Sequence, residues 1–149
     1  MDPMKAHDKV LQIASLHPDI IFLIVGSKTN QIEAPKNIIG LGVSNEMPSL
    51  YNASDIMINL SNYGEGFPNV IAEAMSCGLP VMANNIGDTK KIIGTKGIII
   101  DINNLRNINE KINYLICLSK LKNKKLQIRN HIIQKFSIPY MIDAYLKLY

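Results

Sequence analysis

The chain has 149 residues, of which 47% are hydrophobic and 19% are charged, and its formal net charge is +4. This length suits one domain, which buries about 68–70% of its unfolded surface, and the composition excludes a disordered chain. The sequence shows no apolar run of roughly 18 residues and no secretory leader, so we expect a cytoplasmic protein. Cys77 and Cys117 lack metal or redox spacing, which predicts free thiols.

Strands and helices alternate along the chain, as in parallel βαβ units with right-handed crossovers. The apolar run 20–25, which ends at Gly26, is typical of a buried parallel strand. The pattern predicts one α/β domain over residues 1–149, with a parallel sheet flanked by helices. The predicted helices cover 5–16, 47–53, 68–77, 88–93, 104–120, 122–135 and 139–148, and the predicted strands cover 20–25, 38–41, 55–60, 80–83 and 97–101.

Two glutamates lie on either side of the helix start that follows strand 55–60. Glu65 lies in a glycine-flanked turn, and Pro68 is expected to open the helix, because proline suits the first helical position. Glu73 lies roughly 7.5 Å from Pro68 along the axis of this helix, at ~1.5 Å per residue. Helical side chains lean toward the N-terminus, so Glu73 can point into the crevice beside Glu65. Two carboxylates beside an anion-favouring helix end suit a ligand with hydroxyls and phosphate.

The two glutamates, with seven residues between them, resemble the E-x7-E signature of retaining glycosyltransferases of family 4. The flanking sequence agrees: Glu-Gly-Phe-Pro-Asn begins at Glu65, Glu-Ala-Met-Ser-Cys-Gly-Leu-Pro-Val begins at Glu73, and Asn-Ile-Gly-Asp follows. Residues 2–7 resemble the family's basic loop, and 136–137 with the next helix resemble its closing segment. The resemblance implies a Rossmann-like fold, the C-terminal half of the two-domain GT-B architecture.

The resemblance also implies roles for individual residues. Glu65 corresponds to the glutamate that binds donor-sugar hydroxyls and is the candidate catalytic residue, and Glu73 corresponds to the acceptor of the ribose diol. Lys5 resembles the lysine that contacts the donor phosphates. Ser61 and Tyr63 either line the pocket or belong to an ordinary turn, and we expect the turn. No metal or cofactor is implied beyond the substrate, a nucleoside-diphosphate sugar. The resemblance further implies that backbone amides of the loop and of the first helical turn approach this donor. These amides belong to Gly66, Phe67, Asn69 and Val70.

The chain departs from the family pattern at two places near the site. Residues 84–85 read Asn-Asn where the family often has Thr-Asp, and 90–91 read Lys-Lys where many members have a glutamate. The sequence also begins in the loop after the family's first strand, which is central in the order 3-2-1-4-5-6. We therefore expect the facing edges of strands 20–25 and 55–60 to pair directly, take up another strand or stay open. An open gap predicts low stability.

The resemblance implies the donor-binding domain of a sugar-nucleotide glycosyltransferase in bacterial surface polysaccharide or glycolipid synthesis. Its partners would be a nucleotide sugar and a separately encoded N-terminal acceptor domain. The alternative is an inactive remnant or split half that binds nucleotide sugar without catalysis.

The basic residues of 120–147 either form a solvated helix face or attract the domain to the inner face of an anionic membrane. With 6% aromatic residues and no known module, no nucleic-acid partner is expected.

Overall fold

Two parallel β-sheets with helices packed around them make up the part of the chain that the computed structural model describes, residues 3–148. Short 3-10 turns lie at Pro3–Lys5 and Thr29–Gln31. The strands are β1 (Phe22–Val25), β2 (Ile38–Gly42), β3 (Met57–Asn59), β4 (Val81–Asn84) and β5 (Ile98–Ile100). The helices are α1 (His7–Ser15), α2 (Met47–Ala53), α3 (Asn69–Ser76), α4 (Thr89–Ile93), α5 (Ile108–Ser119), α6 (Lys122–Phe136) and α7 (Ile138–Leu146).

The first sheet contains β1 and β2, and the second contains β3, β4 and β5 in that order. All the pairings are parallel, with Phe22 opposite Ile38 in the first sheet and Met57 opposite Val81 in the second. Every residue of β4 is buried, as expected for a strand covered by helices on both faces. The predicted α/β class, with parallel strands flanked by helices, is confirmed.

The two sheets are separated by a gap between β1 and β3. Within residues 3–148 no ladder joins these two strands. A cavity of about 420 Å³ lies between them, lined by residues of both strands and of α2. Of the three outcomes expected for these edges, the structure shows the open one.

Two apolar clusters hold the helices to the sheets. One joins α1, β1 and α5 through residues that include Ile13, Phe22 and Leu115. The other joins α3, α4, β4 and α6, and fully buried Ile71 and Ile93 belong to it. Complete burial of one such aliphatic side chain contributes about 1.5–3 kcal/mol. The second cluster fixes α3, and with it the helix start that the sequence singles out.

Several element boundaries differ from the sequence prediction. Pro68 has an extended backbone and caps α3, which begins at Asn69, so the prediction of Pro68 as the first helical residue is wrong by one position. The helix predicted from 104 begins at Ile108, because the Asn104 side chain accepts the Arg106 N–H at 3.2 Å and Asn107 has φ 56°. The helix predicted from residue 5 begins at His7. No helix within residues 3–148 is long and apolar enough to cross a membrane.

Candidate functional site

The site predicted from sequence lies after the carboxyl end of β3, where the chain turns into α3. The loop between these elements contains Gly64 at φ 83°, a left-handed conformation that glycine adopts without strain. The backbone N–H of Asn62 donates to the carbonyl of Met4 at 2.7 Å, which attaches the Pro3–Lys5 turn to this loop. The amino-terminal segment and the loop after β3 thus form one surface.

Lys5, Ser61 and Glu65 form a cluster on this surface, which we call the Glu65 cluster. The Lys5 ammonium is ion-paired with Oε1 of Glu65, and the Ser61 hydroxyl donates to the same oxygen at 2.9 Å. The side chain of Glu65 is 13% exposed and that of Lys5 is 36% exposed. The Glu65 carboxylate is therefore largely shielded from solvent, whereas the Lys5 side chain still reaches it.

The partners of Glu65 favour its charged form. The hydrogen bond from Lys5 holds the pKa of Glu65 below its ordinary value, and the Ser61 hydroxyl acts in the same direction. Partial burial alone would raise this pKa, but its effect is smaller than that of Lys5. Glu65 is therefore an ionised acceptor at neutral pH.

Asn84, at the end of β4, fixes the position of Ser61. Its side-chain carbonyl accepts the Ser61 N–H at 3.0 Å, and its side-chain amide donates to the Ser61 carbonyl at 2.6 Å. Both residues are buried. This reciprocal pair joins the ends of neighbouring strands and holds the hydroxyl that contacts Glu65.

A second loop packs directly against the backbone of Glu65. Gly87 has φ 55°, and a Cβ there would overlap the carbonyl oxygens of Gly66 and Glu65. The Asp88 N–H donates to the Gly66 carbonyl at 2.8 Å. Glycine is therefore required at position 87 both by its conformation and by the close approach of the two loops.

Glu73 is held by a different partner, Tyr51 of α2. The Tyr51 hydroxyl donates to Oε2 of Glu73 at 3.2 Å, and we call these two residues the Glu73 pair. Tyr51 is buried whereas Glu73 is exposed. Burial, reinforced by the nearby Glu73 charge, raises the pKa of Tyr51 above its ordinary range, so the phenol stays protonated and remains a donor.

The remaining predicted residues lie around the start of α3 in different settings. The ring of Phe67 contacts that of Phe136, with centroids 5.8 Å apart, so its side chain packs on the end of α6. Nothing lies within 4 Å of the position that a Cβ on Gly66 would take. Asn69 is exposed and Val70 is half-buried in the first turn. Val70, Lys5 and Tyr51 all line the cavity between β1 and β3.

Sequence reasoning did not assign roles to Ser61, Asn84 or Tyr51. Ser61 was interpreted as part of an ordinary turn, yet it contacts Glu65 directly. The signal for Asn84 was a polar residue that ends an otherwise apolar strand. No signal marked Tyr51, because its partner is 22 residues away.

The site offers carboxylates, a cation and backbone amides. Among residues 3–148, no three His, Cys, Asp or Glu side chains group closely enough to hold a metal ion. Cys77 and Cys117 are free thiols, as the sequence predicts. The arrangement is suited to hydrogen bonding with hydroxyls and to pairing with an anion.

Comparison with known sequences identifies the family of this domain. The family model "Glycosyl transferases group 1" matches residues 1–134. A curated relative, the UDP-Gal:alpha-D-GlcNAc-diphosphoundecaprenol alpha-1,3-galactosyltransferase of Escherichia coli, is 32% identical over 152 residues. That alignment covers 91% of this chain and 38% of the relative. The chain spans less than half the length of the curated relatives that it matches.

Solved structures agree on the fold. A glycosyltransferase from Rickettsia africae has a TM-score of 0.83 at 24% identity, covering 99% of this chain and 44% of that one. Anabaena Alr3699/HepE, solved with UDP and glucose, has a TM-score of 0.74 at 20% identity, covering 100% and 46%. The C-terminal domain of LpcC from Francisella tularensis, a group 1 family protein, has a TM-score of 0.73 at 27% identity, covering 93% and 83%. The chain therefore belongs to the group 1 glycosyl transferases.

Proposed function

We propose that this chain is the C-terminal, donor-binding domain of a retaining family-4 glycosyltransferase of GT-B architecture. The observation that carries this proposal is the Glu65 cluster, which places a cation and an ionised acceptor beside the start of α3. The likeness to the C-terminal domain from Francisella tularensis, of which this chain covers 83%, supports the assignment of the half.

Each predicted site residue has a chemical role in this proposal. Glu65 accepts hydrogen bonds from hydroxyls of the donor sugar, and Glu73 accepts from the ribose diol. In the absence of ligand, Glu65 neutralises the Lys5 ammonium. The diphosphate of a bound donor competes with Glu65 for this ammonium. Backbone amides of Gly66, Phe67, Asn69 and Val70 add donors at a helix start that favours anions. Such preorganised donors stabilise the leaving diphosphate during transfer.

Binding is tested by calorimetry with uridine and guanosine diphosphate sugars and with the free sugars. The wild-type chain should bind a nucleoside-diphosphate sugar better than the free sugar. Glu73→Ala should weaken that binding by about 1.5–3 kcal/mol, the worth of hydrogen bonds to a charged group. Glu110→Ala, which removes an exposed carboxylate from α5, is the matched control. Absence of binding at millimolar ligand, or equal binding by wild type and Glu73→Ala, would contradict the assignment.

The same proposal predicts that residues 1–149 alone do not transfer sugar. Holding donor and acceptor together contributes about 7–11 kcal/mol to such reactions, and a donor-binding half provides only one of the two positions. The measurement is nucleoside-diphosphate release with saccharide and lipid-linked acceptors, first with this chain and then with an acceptor-binding domain added. Transfer by the chain alone would refute this part of the proposal. No transfer with the added domain would favour the alternative, a domain that binds nucleotide sugar without catalysis.

We further propose that the domain works at the cytoplasmic face of a membrane, where a lipid-linked acceptor would lie. Support comes from exposed cationic side chains of α6, such as Lys122 and Lys135, next to α7, which buries none of its residues. Each lysine near an anionic surface contributes about 1 kcal/mol to attraction. Sedimentation with anionic vesicles should therefore exceed sedimentation with zwitterionic vesicles and should fall with added salt. Equal sedimentation with both vesicle types would remove the membrane from the proposal.

A further inference from the structure

The side chain of Asn84 continues the pairing of β3 and β4 beyond the end of their ladder. The ladder ends with Asn59 opposite Ala83. Beyond it, the Asn84 carboxamide accepts the Ser61 N–H at 3.0 Å and donates to the Ser61 carbonyl at 2.6 Å. A carboxamide carries a donor and an acceptor, as a peptide group does. Asn84 therefore acts as an additional backbone unit that pairs with the first residues of the loop before Glu65.

Both members of this reciprocal pair are buried. Ser61 is 1% exposed and Asn84 is 7% exposed. Because buried polar groups are costly to leave unpaired, the two bonds keep the Ser61 backbone in one position. Asn84 also lies where the family often has threonine. A hydroxyl offers its donor and acceptor on a single oxygen, whereas the carboxamide supplies two separate atoms for the two bonds.

The fixed backbone of Ser61 carries a hydroxyl that orients the Glu65 carboxylate. This hydroxyl donates to Oε1 of Glu65 at 2.9 Å, and the Lys5 ammonium pairs with the same oxygen. Within residues 3–148, both hydrogen bonds to the Glu65 side chain reach Oε1, so Oε2 accepts neither of them. Two donors on one oxygen hold the plane of the carboxylate, and the second oxygen keeps its capacity to accept from a ligand.

The backbone of Glu65 is restrained separately from its side chain. The Asp88 N–H donates to the Gly66 carbonyl at 2.8 Å, and a Cβ on Gly87 would overlap the Glu65 carbonyl oxygen. These contacts do not involve Asn84 or the Ser61 hydroxyl. A change at either of those two residues should therefore reorient the Glu65 carboxylate while the loop backbone remains held from the other side.

We propose that Asn84 and Ser61 are positioning residues for recognition of the donor sugar, an inference that rests on the proposed role of Glu65. Asn84 holds Ser61, Ser61 holds Oε1 of Glu65, and Oε2 accepts a hydroxyl of the sugar. The nucleoside diphosphate is bound by other groups, among them Lys5 and Glu73. The reciprocal pair therefore affects binding of the sugar moiety and leaves binding of the nucleoside diphosphate nearly unchanged.

The first test compares two ligands by calorimetry with the 149-residue chain. One ligand is the tightest-binding of the uridine and guanosine diphosphate sugars, and the other is its nucleoside diphosphate without sugar. Ser61→Ala retains the backbone groups that Asn84 binds, so it should fold. It should bind the sugar nucleotide about three- to tenfold more weakly, and its affinity for the nucleoside diphosphate should change by less than about twofold. Asn84→Ala should show the same split, whereas the exposed neighbour, Asn85→Ala, should leave both affinities unchanged.

The second test follows the Glu65 carboxylate without any ligand. The hydrogen bond from Lys5 holds the pKa of Glu65 below its ordinary value, and the Ser61 hydroxyl acts in the same direction. Carbon NMR of the Glu65 carboxyl should therefore give a higher pKa in Ser61→Ala than in wild type. Asn84→Ala should raise this pKa as well. The double variant should raise it no further than Ser61→Ala does, because Asn84 acts through Ser61.

Each readout can contradict the positioning role. Equal losses of affinity for the two ligands would show that the pair only stabilises the fold, and wild-type sugar recognition by Ser61→Ala would show that Glu65 needs no positioning. A further rise of the pKa in the double variant would show that Asn84 acts independently of Ser61. If Asn84→Ala does not fold, Ser61→Ala still decides the proposal by both readouts.

Failure of the proposed function gives a different result. In that case the wild-type chain binds none of the sugar nucleotides, which overturns this inference as well. Failure of the inference alone leaves wild-type binding intact and removes only the difference between the two ligands in Ser61→Ala.

Discussion

The two glutamates of the site are held in opposite ways. In the Glu65 cluster a cation and a hydroxyl reach one carboxylate oxygen, and the carboxylate is largely shielded from solvent. In the Glu73 pair a single neutral hydroxyl reaches an exposed carboxylate. The first charge is neutralised by the protein itself, whereas the second is left for solvent or ligand.

This difference indicates that the two residues respond differently to damage in their surroundings. Glu65 depends on three segments, since Lys5 precedes α1, Ser61 follows β3, and Asn84 holds Ser61 from β4. Glu73 depends on the packing of α2 against α3, through Tyr51. Changes near Glu65 should therefore cost more stability than changes near Glu73.

The largest effect should come from Asn84→Ala, which removes the support of the Glu65 cluster. The substitution leaves the buried N–H and carbonyl of Ser61 without their partners, at about 1–3 kcal/mol for each unsatisfied group. We expect the free energy of unfolding to fall by about 2–6 kcal/mol in urea titrations, the sum for the two groups. The exposed neighbour gives the control, Asn85→Ala, which should change it by less than about 0.5 kcal/mol. Equal effects of the two variants would show that the Asn84–Ser61 bonds do not stabilise the fold.

Gly87→Ala should also destabilise the surroundings of Glu65, in this case through the backbone. The added Cβ overlaps two carbonyl oxygens and adopts an unfavourable φ, so we expect a loss of about 1–3 kcal/mol in thermal or urea unfolding. Gly66→Ala is the matched control for stability, because nothing lies near its Cβ position. A stable Gly87→Ala variant would mean that the two loops separate at little cost.

Lys5→Met tests how much the charge of Lys5 stabilises the Glu65 cluster. The pKa of Glu65 is lowered in the folded state, so the stability it contributes is present above the ordinary carboxyl value of about 4.3 and is lost as the pH falls below it. Without Lys5 this contribution shrinks. Because Lys5 reaches solvent, we expect a loss of about 1 kcal/mol at pH 7. That difference from wild type should be smaller at pH 3 than at pH 7.

The measurement for Lys5→Met is urea unfolding at both pH values, at low and at high salt. Lys36→Met, which removes an exposed lysine, controls for the change in net charge. A difference from wild type that stays constant between pH 7 and pH 3 would show that lost packing, rather than the ion pair, accounts for it.

Tyr51→Phe tests the Glu73 pair and should have the smallest effect on stability. The ring stays packed and Glu73 can turn to water, so we expect a loss of about 0.5 kcal/mol, the low end of the net worth of one hydrogen bond. If Glu73 binds the ribose diol, affinity for UDP should also fall a few-fold, whereas affinity for 2′,3′-dideoxy-UDP should not. Tyr114→Phe, on an exposed face of α5, is the control. An equal loss for both ligands would argue that Tyr51 does not act through Glu73.

The sequence predicted the order and type of the main elements because each carries a local signal. The apolar run that predicts a buried strand over 20–25 forms β1, which begins later, at Phe22, and alternates between buried and exposed residues. The strand predicted before the Glu65 loop forms β3, which is shorter at both ends. The helix predicted from 104 began later, because side-chain and left-handed turns between 103 and 107 compete with helix formation.

The sequence alone determined the α/β alternation, the two glutamates flanking a helix start, and the positions from which the family resemblance follows. These features depend on periodicity and on spacing within one strand–loop–helix unit. Only the tertiary structure decided which groups meet at the site. Lys5 lies 60 residues from Glu65, Asn84 lies 23 from Ser61, and Tyr51 lies 22 from Glu73. Such pairs are formed by the packing of parallel strands and crossover helices, which brings distant side chains together without a local signal. Of the three outcomes that the sequence left open for the facing edges of β1 and β3, only the tertiary structure decided which one occurs.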